Sequence, residues 1–390
     1  MIGKRLFLIL CVAVPAAMVL PTGCPPPEDP ERTFYMSFTQ WPYEAGANAF
    51  DDTFALLRPH SDMVSFHIDE GVPWPEAFIG SGYTGEYEGF LGLLQNQRAS
   101  GDTAYLALSS LNAARDGMAQ YRGETANMER PAPWDEFGFG VEDVAKAYAN
   151  YCHDMIARFD PKFFNYGIEA TELFFQNPDL WELYVDFNAE VYTRIKARFP
   201  NLMTGFSVSL KQPDTEAARA TRKAVTDLLP YADFLGVSAY PYVYFGPPVT
   251  GNPATMEAGW LYQAVEMAQG KPVAITETGW PAEDVSVSTF GLDITATPAL
   301  QQAYVRRMLA AASEIGALFV VWFTVADYDA LLEAFPPEAR DIGRIWANTG
   351  LYDDDLAPRP GLETWDSWLA TPPGPPDDPG NGEAATTNRR

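Results

Sequence analysis

The sequence predicts an α/β fold in which eight parallel strands and their helices form one (β/α)₈ TIM barrel. Eight short runs rich in β-branched and aromatic residues recur along the chain, and amphipathic segments of helical period fill most of the intervals between them. Polar side chains follow nearly every run, as they do at the carboxyl ends of barrel strands. A doubly wound parallel sheet is the alternative, but that fold requires neither eight units nor a polar residue after each strand.

The strands are predicted from short apolar runs, and the helices from apolar residues spaced three to four apart. The eight predicted strands are Thr33–Thr39, Asp62–Ile68, Thr103–Ser110, Phe163–Glu169, Leu202–Ser209, Asp233–Ala239, Pro272–Glu277 and Ala317–Thr324. The clearest predicted helices are Val141–Phe159, Leu180–Phe199, Thr215–Leu229, Thr255–Gln269 and Pro298–Ile315. Cys152 lies on the apolar stripe of the first of these helices, which predicts a core residue rather than a nucleophile.

The composition excludes several classes of protein. The 390 residues include 26 Lys and Arg against 52 Asp and Glu, which gives a formal net charge of −26. This excess of acid argues against a nucleic-acid-binding protein, which needs Lys and Arg to replace counterions. It also argues against a protein that binds membranes through a polybasic surface. Three His and three Cys, scattered along the chain, provide neither a disulfide framework nor a transition-metal site. We expect no cofactor, although a structural Ca²⁺ among the many carboxylates stays open.

The first residues resemble an export signal. Lys4 and Arg5 precede the apolar run Leu6–Leu20, which is shorter than the roughly 20 residues of a membrane span. A small residue and then Cys24 follow, as at a bacterial lipoprotein processing site. Residues 1–23 are therefore predicted to be a signal peptide, and lipidation of Cys24 would tether the protein to a membrane face. Ordinary secretion is the alternative.

The domain boundaries follow from composition. A Pro-rich linker is predicted over 24–32, a single barrel domain over 33–371 and a disordered tail over 372–390. We expect an extracytoplasmic monomer whose only membrane contact is the lipid at Cys24.

Two glutamates carry the strongest chemical signal. Glu169 ends the fourth predicted strand and Glu277 ends the seventh, so a closed barrel brings both to one mouth. Paired carboxyls perform the acid–base and nucleophilic steps of glycoside cleavage, and the distance between them selects retention or inversion. Glu172, close behind Glu169, is an alternative acid.

Aromatic and polar residues at the other strand ends are candidates for binding a sugar. Aromatic faces stack on sugar rings, and polar groups hydrogen-bond hydroxyls. His67 could equally be a core imidazole. The candidate substrate-binding residues are Trp41, His67, Asn112, Glu172, Tyr240, Trp280 and Trp322, with Trp74 as a further platform.

Four segments resemble glycoside hydrolase family 53, the arabinogalactan endo-β-1,4-galactanases. Residues 234–242 (FLGVSAYPY) resemble the family's sixth strand, 272–281 (PVAITETGWP) its seventh, 346–353 (WANTGLYD) its closing segment and 166–171 (YGIEAT) its fourth strand. The segment 276–281 is also similar to β-1,3-glucanases of the same clan. The resemblance implies a retaining mechanism with Glu277 as nucleophile and Glu169 as acid/base. It also implies that Tyr240 orients Glu277, that Trp322 forms the floor of the cleavage subsite, and that the substrate is a β-linked polysaccharide or oligosaccharide.

One position departs from the family pattern. The family has Asn before the acid/base, where its amide reaches the sugar 2-hydroxyl, and this chain has Ile168. Another side chain, such as Asn165, Asn112 or His67, replaces that contact, or the substrate differs, or activity is lost. Two further hypotheses stay open: a non-catalytic barrel that binds glycans, and a structural cell-envelope protein without a sugar site.

Overall fold

The computed structural model describes residues 32–46, 48–246 and 249–371. Eight strands form one parallel sheet, and a separate hairpin (β8–β9) was not predicted from the sequence. The strands are β1 (Tyr35–Phe38), β2 (Val64–Ile68), β3 (Ala104–Leu108), β4 (Phe163–Asn165), β5 (Met203–Ser209), β6 (Phe234–Ala239), β7 (Val273–Thr278), β8 (Val285–Val287), β9 (Leu292–Ile294) and β10 (Phe319–Trp322). Each predicted strand overlaps an observed one, so the (β/α)₈ barrel is confirmed.

Helices follow the strands and cover the outside of the sheet. The sequence left the helices of the first two intervals undefined, and the structure places α1 to α3 there. The helices are α1 (Ala49–Leu57), α2 (Trp74–Ile79), α3 (Gly85–Asn96), α4 (Glu142–Phe159), α5 (Glu172–Gln176), α6 (Trp181–Arg198), α7 (Glu216–Leu228), α8 (Pro241–Tyr244), α9 (Tyr262–Ala268), α10 (Pro298–Glu314), α11 (Asp329–Leu332), α12 (Pro337–Gly343) and α13 (Pro360–Leu369). Cys152 on α4 is fully buried, as predicted.

Backbone ladders join the barrel strands in the order β1-β10-β7-β6-β5-β4-β3-β2. The first and last strands of this order, β1 and β2, meet through side-chain hydrogen bonds and one backbone hydrogen bond. Asp62 accepts a hydrogen bond from the backbone N–H of Met36 at 2.7 Å, and its own N–H donates to the carbonyl of Met36 at 3.1 Å. Further up the seam, the Gln40 amide donates to the His67 carbonyl at 2.7 Å and accepts from the His67 N–H at 2.9 Å. The seam therefore closes the barrel with paired polar groups.

An aromatic layer fills the lower barrel. Four rings from β3, β4, β6 and β10 pack against one another, with centroids of Tyr105 and Phe319 at 4.6 Å and of Phe163 and Phe319 at 5.0 Å. Phe234 completes the layer. This layer makes the lower interior a packed core, so the polar residues above it lie at the carboxyl ends of the strands.

Several sequence predictions lie outside the described residues: the signal peptide (1–23), Cys24 and the tail (372–390). In the parts of the chain that the structure describes, no helix is both long enough and apolar enough to cross a bilayer.

Candidate active site

Glu277 points into the barrel mouth because β7 carries a bulge. The register against β6 pairs Val237 with Ile275 and then Ser238 with Glu277, which leaves Thr276 as the extra residue. Ile275 packs on the outer side of the strand, so regular alternation would also turn Glu277 outward. The extra residue restores the inward direction, as bulges next to active sites do.

The bulge needs space inside the barrel, and a glycine provides it. A Cβ added at Gly236 would lie 2.5 Å from the side chain of Thr276 and 3.0 Å from the Cβ of Ser207. Only glycine at this point of β6 lets the bulged strand pack closely.

Glu169 reaches the same mouth through a left-handed backbone. Its φ of 50° places it in a region that non-glycine residues rarely occupy. The Ser207 hydroxyl accepts its backbone N–H at 3.0 Å, and the Ser209 hydroxyl donates to its Oε1 at 2.9 Å. Two serines of β5 thus fix the backbone and the carboxylate of Glu169.

The two glutamates influence one another electrostatically across the mouth. Both are largely buried, with side chains 21% exposed at Glu169 and 17% at Glu277. Burial, and then the charge on Glu169, raise the pKa of Glu277 to about 8, while the Tyr240 hydroxyl and the Arg115 guanidinium act to lower it. Two carboxyls in such a site do not readily ionise together, so near neutral pH the pair retains about one proton.

Tyr240 and His67 flank Glu277. The Tyr240 hydroxyl donates to Glu277 Oε1 at 2.5 Å, which is the hydrogen bond that the resemblance implied. Burial and the Glu277 charge raise the pKa of Tyr240 well above its usual value, so this hydroxyl keeps its proton. His67 Nδ1 lies 3.7 Å from Glu277 Oε2, and burial lowers the pKa of His67, which favours the neutral imidazole. His67 therefore lies at the site.

Two cations reach the mouth, and each is paired with a carboxylate. Arg115 donates to Asp69 Oδ2 at 2.7 Å, and its Nε lies 3.7 Å from Glu169 Oε2. Lys211 lies 2.8 Å from Glu172, the alternative acid. Glu172 is thus held in an ion pair of its own, which favours Glu169 as the carboxyl that acts with Glu277.

Three predicted tryptophans do not face the mouth, and the first is Trp322. Phe319 and Val321 of β10 point into the barrel, so Trp322 points outward by the alternation of a strand. Trp322 is fully buried under α10 and α13, near Tyr304 and Trp365, and the prediction that it forms a subsite floor is wrong.

Trp280 and Trp74 are also fully buried and cannot serve as exposed platforms. Trp280 packs against Tyr304 with centroids 4.9 Å apart, and Trp74 stacks on Trp134.

A different aromatic wall occupies the mouth. Phe323, one residue beyond Trp322, lies 5.7 Å from the ring of Trp41 and 6.5 Å from that of Trp346. Trp346 also lies 6.0 Å from Tyr240. The indole N–H groups of Trp41 and Trp346 are buried without a hydrogen-bond partner among the described residues.

Asn112 and Ile168 have structural roles. The side-chain amide of Asn112 donates to Asp116 at 2.7 Å, and the backbone carbonyl of Asn112 accepts from the backbone N–H of Arg115 at 2.9 Å. Asn112 therefore shapes the loop that presents Arg115. Ile168 joins the aromatic core inside the barrel and is 3% exposed. Asn165 bonds Tyr105 and Ser207 in the same interior.

Sequence reasoning missed Arg115, Ser209, Phe323 and Trp346. Strand alternation in β10 was the signal for Phe323, and the end of the fifth strand was the signal for Ser209. No sequence pattern marks Arg115, whose position depends on a loop. Across the described ranges, no group of three or more His, Cys, Asp or Glu has the geometry of a metal site.

The sequence matches no protein-family model and no curated protein. Its structure resembles GH5_18 from Streptomyces cattleya in complex with GlcNAc, with a TM-score of 0.60 and 14% identity over 88% of this chain and 82% of that one. It also resembles the exo-β-1,4-mannosidase Op5Man5 from Opitutaceae bacterium strain TAV5, with a TM-score of 0.58 and 16% identity over 87% of this chain.

A third similar structure is the β-D-glucuronidase of Dictyoglomus thermophilum, with a TM-score of 0.53 and 12% identity over 89% of this chain. The chain spans 60% of the length of the mannosidase and 52% of that of the glucuronidase. At these identities the likeness shows that the chain shares the (β/α)₈ fold of glycoside hydrolases, and function rests on the site.

Proposed function

We propose that this protein is a retaining glycoside hydrolase acting on a β-linked polysaccharide. One observation carries the proposal: Glu169, after the fourth strand and bonded by Ser209, and Glu277, on the seventh strand and bonded by Tyr240, are two largely buried carboxyls in the same barrel mouth. Retaining glycosidases need such a pair, with one proton shared between a nucleophile and an acid.

In the site without substrate, burial and the Glu169 charge favour the proton on Glu277, so the reactive form is the one in which that proton lies on Glu169 and Glu277 is ionised. In this form Glu277 Oε attacks the anomeric carbon as Glu169 protonates the leaving glycosidic oxygen, and that C–O bond breaks. Glu169 then takes a proton from water, and the water oxygen attacks the anomeric carbon and releases Glu277. The Tyr240 hydrogen bond supports the ionised form of Glu277, and Ser209 holds the carboxyl of Glu169.

The aromatic wall of Trp41, Phe323 and Trp346 supports a sugar as substrate. The three rings pack beside one another at the mouth. Aromatic faces stack on the C–H face of a pyranose ring. Galactan is the first candidate because of the family 53 resemblance, and other β-glycans belong in the same test.

The mechanism is tested by three substitutions assayed on a panel of β-glycans and aryl β-glycosides. Glu277→Ala is expected to lower kcat by about 10⁴-fold or more, because the nucleophile is removed. Glu169→Ala is expected to lower glycan hydrolysis by about 10²- to 10⁴-fold, with a smaller loss on aryl glycosides whose leaving groups need little protonation.

Glu172→Gln is the matched control, because Glu172 is a buried carboxyl of the same mouth paired with Lys211. It is expected to retain most of the hydrolysis. Unchanged hydrolysis by Glu277→Ala would refute the mechanism, and a loss confined to Glu172→Gln would show that the wrong acid was chosen.

A glycan-binding barrel without activity is the second candidate, and Ile168 favours it. An alkyl group buried in the core cannot replace the amide that contacts the 2-hydroxyl. Losing that contact lowers the rate by about two to three orders of magnitude. Tight glycan binding by the wild type, without release of new reducing ends, would select this candidate.

The cellular location of the protein is a separate proposal. We propose that Cys24 carries a lipid anchor outside the cytoplasm. Replacement of Cys24 by Ser is expected to move the protein from the membrane fraction to the soluble fraction.

A further inference from the structure

The guanidinium of Arg115 is fixed in the barrel mouth by residues of its own loop and by Asp69, which follows the neighbouring strand β2. Its Nη1 donates to the Ser109 hydroxyl at 3.3 Å and to the Asn112 carbonyl at 3.2 Å, and its Nη2 donates to Asp69 at 2.7 Å. The side chain is 12% exposed. The backbone of Arg115 is left-handed, with φ 55°, so the loop is built to present this side chain.

The Nε–H of this guanidinium faces Glu169. The Nε is buried without a hydrogen-bond partner and lies 3.7 Å from Glu169 Oε2. Ser209 occupies the other carboxylate oxygen. Ile168, which precedes Glu169, has its side chain in the aromatic core and contributes no polar group to the mouth.

We propose that Arg115, anchored by Asp69, is a positioning residue that directs the carboxyl of Glu169 and acts through its charge on Glu277. This inference rests on the proposed function. At 3.7 Å from Glu169 Oε2, the charge of Arg115 favours one orientation of that carboxyl and stabilises the carboxylate left after proton transfer.

The electrostatics of the site assign Arg115 a second effect, on Glu277. The charged or directly contacting groups around Glu277 are His67, Asp69, Arg115, Glu169 and Tyr240. Four tyrosines whose pKa is raised, and which therefore stay neutral, also feel its charge: Tyr105, Tyr242, Tyr244 and Tyr328. Among these described groups Arg115 is the one permanent cation, because burial favours the neutral form of His67. Arg115 lowers the pKa of Glu277 against burial and against the charges of Glu169 and Asp69. Loss of Arg115 therefore leaves Glu277 harder to ionise.

Arg115→Gln tests both effects with two readouts. The first readout is the titration of the Glu277 carboxyl carbon, followed by ¹³C NMR and assigned with Glu277→Gln. We expect the Glu277 titration to move up by about one pH unit. The acidic limb of kcat/KM is expected to move by the same amount, because the nucleophile must be ionised.

The second readout is the dependence on the leaving group. Arg115→Gln is expected to lower kcat/KM by about 10²-fold on a β-glycan and by much less on an aryl glycoside with an activated leaving group, since Arg115 acts through the acid. Arg115→Lys keeps the charge, so it is expected to restore the titration of Glu277 and part of the rate.

Arg122→Gln is the matched control. Arg122 is a buried arginine of the same loop between β3 and α4, and it lies 3.3 Å from Glu70 instead of facing the two glutamates. It is expected to change neither the Glu277 titration nor the leaving-group dependence. An Arg115→Gln variant that folds but leaves both readouts at the wild-type values would overturn the proposal.

The two proposals fail separately. If the wild type hydrolyses no glycan, the proposed function falls, while the NMR titration still decides whether Arg115 sets the ionisation of Glu277. If the wild type is active and neither the Glu277 titration nor the leaving-group dependence changes in Arg115→Gln, the role of Arg115 falls and the proposed function stands.

Discussion

The two glutamates of the mouth owe their directions to local departures from regular strand geometry. Glu277 follows a bulge at Thr276, and Glu169 has a left-handed backbone. A left-handed non-glycine residue costs on the order of 1 kcal/mol, and hydrogen bonds from Ser207 and Ser209 hold Glu169 in it. Such strain commonly persists where a side chain must be aimed at a substrate. The geometry of Glu169 is thus an observation in favour of a functional site.

The last strand shows how one residue decides between core and site. Trp322 and Phe323 are adjacent aromatic residues, but Trp322 packs under the outer helices and Phe323 lies in the mouth against Trp41. The Trp322 indole N–H donates to the Thr349 carbonyl at 2.9 Å, which fixes it as part of the scaffold.

Substitutions of these two neighbours are therefore expected to have opposite effects. Phe323→Leu keeps most of the volume and removes the aromatic face, so we expect KM for glycans to rise several-fold with little change in Tm. Trp322→Phe removes volume and a hydrogen bond from the core, so we expect a loss of about 1–3 kcal/mol in the free energy of unfolding and an unchanged KM. Glycan kinetics and thermal unfolding of both variants measure the two effects. An effect of Trp322→Phe on KM alone would contradict the outward orientation.

At the scale of elements, the seam between β1 and β2 links the barrel to its site. The backbone groups of His67 are held by the Gln40 amide instead of a strand neighbour. His67 in turn lies beside Glu277. A side chain of β1 therefore fixes a residue of the mouth, which gives the seam a role in both stability and activity.

Gln40→Leu is expected to destabilise the protein by about 1–3 kcal/mol, because the buried N–H and carbonyl of His67 lose their partners. It is also expected to lower kcat/KM, since His67 is no longer held. Gln302→Leu, the same change on the outer helix α10, is the control. Gln302 donates to the Pro360 carbonyl, and water replaces that bond, so a change within about 0.5 kcal/mol is expected. Denaturant unfolding measures both variants, and equal losses would show that the seam has no special role.

The elements themselves were readable from the sequence because burial on both faces makes parallel strands short and apolar. Each predicted strand overlaps an observed one, although the fourth ends at Asn165, four residues before the predicted end at Glu169. The backbone turns away from regular strand geometry between them, with Glu169 left-handed. Strand positions follow from composition, whereas strand ends depend on the local hydrogen bonds of each loop.

At the scale of the whole molecule, the site was only partly predictable. Topology alone brings strands four and seven to one mouth, so the sequence located Glu169 and Glu277. It could not locate Arg115, because a loop with a left-handed turn carries that residue across the mouth. It also misplaced Trp280, which is fully buried under α10. Tryptophan is common both in sugar-binding sites and in hydrophobic cores. Only the packing in the structure shows to which of the two a given tryptophan belongs.

The charge arrangement of the mouth has a consequence for the stability of the whole chain. Burial and Glu169 raise the pKa of Glu277 to about 8, well above the ordinary value of 4.5 that it regains on unfolding. Between these two values the folded protein holds a proton that the unfolded chain has lost. Stability from this group is therefore lost as the pH rises from 4.5 towards 8.

Glu277→Gln is expected to abolish this fall in stability with rising pH. The amide does not ionise, and its oxygen still accepts the hydrogen bond of Tyr240. We expect the variant to be inactive and, at pH 8, more stable than the wild type by on the order of 1–3 kcal/mol, with the difference shrinking towards pH 4.5. Urea unfolding at the two pH values measures it. Glu172→Gln gives the contrast, since it leaves Lys211 unpaired and is expected to destabilise. If Glu277→Gln is no more stable than the wild type at pH 8, ionised Glu277 does not destabilise the folded protein, and the predicted pH dependence of stability is wrong.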